Sequence, residues 1–93
     1  GDVYKRQVIT VIGADRVGIV AGVTKELTIQ NINILDISQT ILGDIFDMVL
    51  ICDMEHAKGT LKDVQEEMRV LGKEMGVEIR VQLADIFYAM HRI

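Results

Sequence analysis

The sequence predicts an α+β sandwich whose elements run in the order βαββαβ. Two segments carry an apolar stripe at helical spacing, four carry strand patterning, and each helix falls between two strands. The first strand is Val8-Ile9-Thr10-Val11-Ile12, a near-continuous apolar run of the buried kind. Helix one places Ile19, Val20, Val23 and Leu27 on one side, and Gln30-Asn31 close the turn after it. Ile32 opens a second extended stretch. There Leu35, Ile37 and Ile41 alternate with Asp36, Ser38 and Thr40, which reads as a half-buried strand. Asn33-Ile34 break that alternation, so a bulge or a late ladder start is expected. Gly43-Asp44 then form a tight turn into Ile45–Cys52, apolar except for Asp47, and the pair is a hairpin.

His56 to Gly59 form a polar loop, and Thr60 with Asp63 resembles a capping box. Helix two carries Leu61, Val64, Met68, Leu71 and Met75 on a single face, and Gly76 stops it. In the last strand Val77, Ile79, Val81 and Leu83 alternate with Glu78, Arg80 and Gln82. From Asp85 to Ile93 the tail can form a short helix with Ile86, Phe87 and Met90 on one side. Two right-handed crossovers and a central hairpin make this a ferredoxin-like βαββαβ sandwich: a four-stranded antiparallel sheet, two helices on one face and a short C-terminal helix. The most apolar strands, the first and third, fall at the centre of that arrangement. Residues 8–93 are read as one domain, and residues 1–7 as a disordered or expression-derived N-terminus.

Composition narrows the partners. The 93 residues suffice for one domain, which at this size buries only roughly 60–65% of its unfolded surface. A chain that is 49% hydrophobic is rich for such a size, so part of its apolar surface is expected at an interface. Val8 to Ile12 and Ile45 to Ile51 would also place apolar side chains on the sheet face away from the helices, which again calls for a partner. The net charge is −4 and the ten Lys and Arg form no basic stripe, which argues against nucleic acid or an anionic membrane as a direct partner. A single Cys52 excludes an internal disulfide and fits a reducing cytoplasm. No apolar run approaches membrane-spanning length.

The segment richest in chemistry is Gly13-Ala14-Asp15-Arg16-Val17-Gly18-Ile19-Val20, which joins the first strand to helix one. Such a junction offers unpaired backbone N–H groups and the positive end of a helix dipole, suited to a small anion or a carboxylate. It is not a Walker A loop, because Ile19-Val20 stand where Lys and Ser/Thr would be required, and it is not G-x-G-x-x-G. The loop suggests binding, not phosphoryl transfer.

Strand one, this loop, and Asn31-Ile32-Asn33-Ile34-Leu35-Asp36-Ile37-Ser38-Gln39 together resemble an ACT domain, a small βαββαβ module that binds amino acids and regulates metabolism. The Gly-x-Asp-Arg-x-Gly-Ile-Val run resembles the subgroup of stand-alone ACT proteins and glycine-cleavage-type repressors. The resemblance covers the chain from about Val8 onward. It implies a homodimer or higher homo-oligomer, joined side by side or face to face, with a small amino acid between the loop of one subunit and strand two of the other. It also implies no cofactor. No enzyme or DNA-binding domain accompanies the module in this sequence, so a partner enzyme or regulator would carry the output.

The candidate ligand-binding set is Gly13, Asp15, Arg16, Gly18 and Ile19 from the loop with Asn33, Ile34 and Asp36 from strand two. Gly13 and Gly18 are either turn and packing glycines or points of close ligand approach. Asp15 serves either as a helix cap or as a holder of the ligand ammonium. Arg16 is a solvated charge, an ion-pair partner of Asp15 or Asp36, or a carboxylate fork. Asn33 bonds backbone at the strand entrance or takes polar ligand atoms, as the matching Asn of ACT domains does. Asp36 and Gln39 read first as exposed strand residues.

No metal site or catalytic set is expected. Asp53 and His56 beside Cys52 supply too few donors for zinc, and the chain has only two His. Cys52 has no His or Lys close in sequence to activate it and reads as a buried, unreactive thiol. Three classes of function remain: an amino-acid-binding regulatory module, which the resemblance favours; a ligand-free oligomerisation or docking module; and, weakest, an acylphosphatase-like enzyme using Arg16 with Asn33. Against the last, Asp15 beside Arg16 would repel a phosphate.

Overall fold

The computed structural model describes residues 6–14 and 17–90. It contains β1 (Arg6–Gly13), α1 (Ile19–Ile29), β2 (Asn33–Leu42), β3 (Ile45–Asp53), α2 (Leu61–Met75), β4 (Glu78–Leu83) and α3 (Ala84–Met90). The strands form one antiparallel sheet in the order β2-β3-β1-β4, so the two most apolar strands are central and the two alternating ones are edges. The core lies between sheet and helices. Ile9 and Val11 of β1 with Met48 and Leu50 of β3 meet Val23 and Leu27 of α1 and Val64 and Met68 of α2, all fully buried.

Helix two starts at the capping box read from the sequence: Thr60 Oγ1 accepts from the Asp63 amide at 3.2 Å, and the Thr60 amide donates to Asp63 Oδ2 at 2.9 Å. It ends at Gly76, whose left-handed backbone (φ 72°) reverses the chain towards β4. Close by, the Val77 amide donates to the Gly72 carbonyl at 2.9 Å.

Three features differ from the sequence reading. β1 begins at Arg6, two residues before Val8, because Gln7 already pairs with Cys52 and Leu83 on its two neighbours and is buried. The apolar residues of β2 are not half-buried: Leu35, Ile37 and Ile41 are 45%, 37% and 52% exposed. The reason is position, since β2 is an edge strand that the helices scarcely overhang. The expected bulge is present between Ile34 and Asp36, and it drops Leu35 out of the ladder. Ile34 opposite Cys52 and Ile37 opposite Leu50 consequently both face the helices, because directly opposed residues share a side of the sheet.

The third difference concerns the sheet face away from α1 and α2. It is not a bare apolar surface. α3 folds across β1 and β4 there and covers Val8, while Thr10, Asp47, Arg80 and Gln82 interrupt what remains. Ile12 and Ile45 stay exposed.

Candidate functional site

The candidate residues fall into two groups at opposite ends of the sheet. Gly13 pairs with Phe46, at the start of β3, whereas Asn33 pairs with Asp53, at its end. Seven residues of extended chain separate those partners, about 23 Å. Within one chain, the first loop and the entrance of β2 therefore cannot touch the same small molecule.

At the loop end, Gly18 occupies the N-cap of α1 with a left-handed backbone (φ 79°), and no described side chain caps the helix. The first turn holds no acidic residue either. A helix N-terminus carries the positive end of the helix dipole. A Cβ on Gly18 would meet nothing within 4 Å, so the glycine is required by its dihedral angle and not by crowding. A valine there would be strained, and asparagine, which tolerates this conformation, is the better probe. Gly13 has a packing role: a Cβ would stand 2.6 Å from Val77 Cγ1. Ile19 is buried in the core. Asp15 and Arg16 lie outside the described residues.

At the other end, Thr28, Asn31, Ile32, Asn33, Asp53, Glu55 and His56 line a cleft of about 410 Å³. Asn31 takes a left-handed backbone (φ 59°) and its Nδ2 donates to the His56 carbonyl at 2.9 Å, which ties the two walls together. Asp53, which lines the cleft, accepts the Glu55 amide on Oδ1 at 2.9 Å. Asn33 is exposed at the mouth. Ile34 and Asp36 are not in the cleft: Ile34 packs against the core, and Asp36, opposite Ile51, accepts the Ile37 amide at 2.9 Å. Reading the sequence missed Asp53 and Asn31. Counting outward from the Gly43-Asp44 turn puts residues 53–54 opposite Asn33, so the signal was present.

Cys52 lies behind this end of the sheet, opposite Ile34 and Gln7. Burial pushes its thiol from 9.0 up to about 12. The thiol should resist alkylation at pH 8 in the folded protein and react once denatured, as a thiol titration with and without urea would show. Because the unfolded thiol ionises first, the stability tied to Cys52 is full below pH 9 and is lost as pH rises from 9 towards 12. Cys52→Ala should flatten that part of the stability profile.

Among the described residues, no three His, Cys, Asp or Glu side chains gather as metal ligands, and no helix is long and apolar enough to cross a membrane.

The family profile described as ACT domain matches residues 5–82. The UPF0237 protein of Methanopyrus kandleri is 49% identical over 88 residues, which cover 95% of this chain and 98% of that protein. The UPF0237 protein of Listeria innocua is 46% identical over 88 residues, covering 95% and 99%. Among solved structures, an ACT domain protein from Streptococcus pneumoniae superposes with a TM-score of 0.79 at 36% identity, covering 88% of this chain and 92% of that one. A formyltetrahydrofolate deformylase from Pseudomonas syringae shares the fold with a TM-score of 0.76 at 23% identity, over 83% of this chain and only 26% of its own. With the sequence profile, the close relatives and the βαββαβ sheet order all in agreement, this chain belongs to the ACT domain family.

Proposed function

We propose that this protein is a non-catalytic regulatory domain that pairs with a second copy along β2 and binds a small amino acid between the two. The observation that carries this reading is the separation of the two groups of candidate residues. A two-fold axis beside β2 sets the Asn33 end of one protomer against the loop end of the other, so a complete site arises only between copies. The α1 amides would take the ligand carboxylate, and Asn33 with Asp53 of the other protomer would take its ammonium. Asp15 and Arg16 remain proposed contacts on the loop.

The edges of the sheet support β2 as the paired one. β2 is ten residues long and exposes Ile37, Ile41 and Leu42. β4 has six residues, carries the exposed Glu78–Arg80 ion pair, and is gripped by Gln65 Nε2, which donates to the Val81 carbonyl at 2.9 Å. α3 over the other sheet face disfavours face-to-face pairing. The same separation weighs against an acylphosphatase-like reading, since the loop and Asn33 do not meet within one chain. A ligand-free docking module would use the same β2 edge, and only a ligand assay separates it from a sensor.

The test is sedimentation at micromolar concentration together with thermal melts against the twenty amino acids. A dimer is expected, and millimolar glycine or serine should raise Tm by mass action. Asn33→Ala should leave the Tm of the free protein nearly unchanged, because no described group bonds its side chain, and should abolish the ligand shift. A monomer would overturn the interface site. A dimer unmoved by every amino acid would overturn sensing and leave docking.

A further inference from the structure

A second cavity, of about 530 Å³, lies on the sheet face away from α1 and α2, beneath α3. It shares no lining residue with the cleft at Asn33. The strand register explains its chemistry. Ile12 stands between Asp47 of β3 and Glu78 of β4, and one pleat along, Thr10 stands between Val49 and Arg80. Phe87 and Met90 of α3 form the opposite wall. The chamber is thus apolar along Ile12, Val49, Phe87 and Met90, with its charges at one end.

Those charges do not cancel. Arg80 Nη2 lies 2.8 Å from Glu78 Oε1, and Arg80 Nε donates to the same oxygen at 2.8 Å. Asp47, on the other side of Ile12, has no hydrogen-bond or ion-pair partner among the described residues. One uncompensated carboxylate therefore borders an apolar chamber large enough for a small organic molecule. The ACT domain match ends at residue 82, so the α3 wall lies past the matched span.

We propose that this cavity binds a small amphipathic monocation, a protonated primary amine on an apolar body. The body lies between Val49 and the Phe87–Met90 wall, and the ammonium sits on Asp47. An anionic amphiphile would face Asp47 and a guanidinium already engaged by Glu78.

The test is an amide NMR titration of the whole chain with n-octylamine, n-octanol and n-octanoate, each kept below its aggregation threshold. Octylamine should shift the amides of Thr10, Val49 and Arg80 in a saturable way and bind about fivefold more tightly than octanol, the worth of one half-exposed ion pair. Octanoate should bind weakest. Asp47→Asn should remove the advantage of the amine over the alcohol, and Met90→Ala should weaken both. Glu74→Gln, on the outer side of α2, controls for general attraction to an acidic chain and should change nothing. Octanoate binding as tightly as octylamine, an amine advantage that survives Asp47→Asn, or no saturable shift at these amides would each overturn the proposal. None of these outcomes depends on the amino-acid site at Asn33.

Discussion

Replacing Gly72 by alanine is expected to destabilise the fold by about 3 kcal/mol, the upper end of the usual cost of overpacking. On helix propensity alone the change would gain about 1 kcal/mol. The surroundings reverse the sign. A Cβ at Gly72 would stand 2.7 Å from the Val77 carbonyl oxygen and 3.4 Å from Ile79 Cγ1. The first of these is backbone and cannot rotate away. It belongs to the turn in which the Gly72 carbonyl accepts the amides of Gly76 and Val77, and that turn aims β4 at β1. Relieving the contact means moving α2 off the sheet or loosening the β4 edge. In a domain of this size the loss corresponds to a fall in Tm of roughly 15 °C. An unchanged or higher Tm would show that α2 can shift freely over β4.

The double substitution Ile37→Lys with Ile41→Lys should convert the proposed dimer to monomer, raising the dissociation constant on the order of 100-fold or more. Both side chains project from the helix side of β2 with little of the protein above them, so lysines there reach water in an isolated chain. In a paired edge they would be buried without partners. Sedimentation of the variant reads the effect directly. Val70→Lys, at an exposed apolar position on α2, serves as the control and should leave assembly intact. If Ile37→Lys with Ile41→Lys still sediments as a dimer, the copies meet elsewhere. The response to glycine or serine should vanish together with the dimer.

Much of this architecture could be read from the chain. The stripes of α1 and α2, the Thr60–Asp63 cap, the Gly43-Asp44 hairpin and the break at Asn33-Ile34 are local patterns, and each appears where the residues indicate. What could not be read depends on the lateral placement of layers. Ile37 and Ile41 alternate as a buried face would, yet α1 does not extend over them, and alternation says nothing about how far a helix reaches. The same holds for α3. Its apolar side was legible, but not that it would close over Val8 and leave a chamber beside it. The opposition of Gly13 and Asn33 was a different matter. Any strand–helix–strand crossover returns the chain to the end where it began, so the end of β1 and the start of β2 must lie apart. The resemblance had already divided the site residues between the loop of one subunit and strand two of the other, and the sheet order gives the physical reason within one chain.

The unequal edges of the sheet also bear on the stoichiometry of the proposed assembly. A subunit with two receptive edges would add neighbours on both sides and grow into a ribbon without limit. Here one border is long and apolar, while the other is short, charged and held by Gln65. Under the proposed pairing along β2, each subunit would have a valence of one, and pairing would use it up. Growth by strand addition would then stop at two copies, and the border it does not offer would keep a protein this rich in β-branched and aliphatic residues from polymerising.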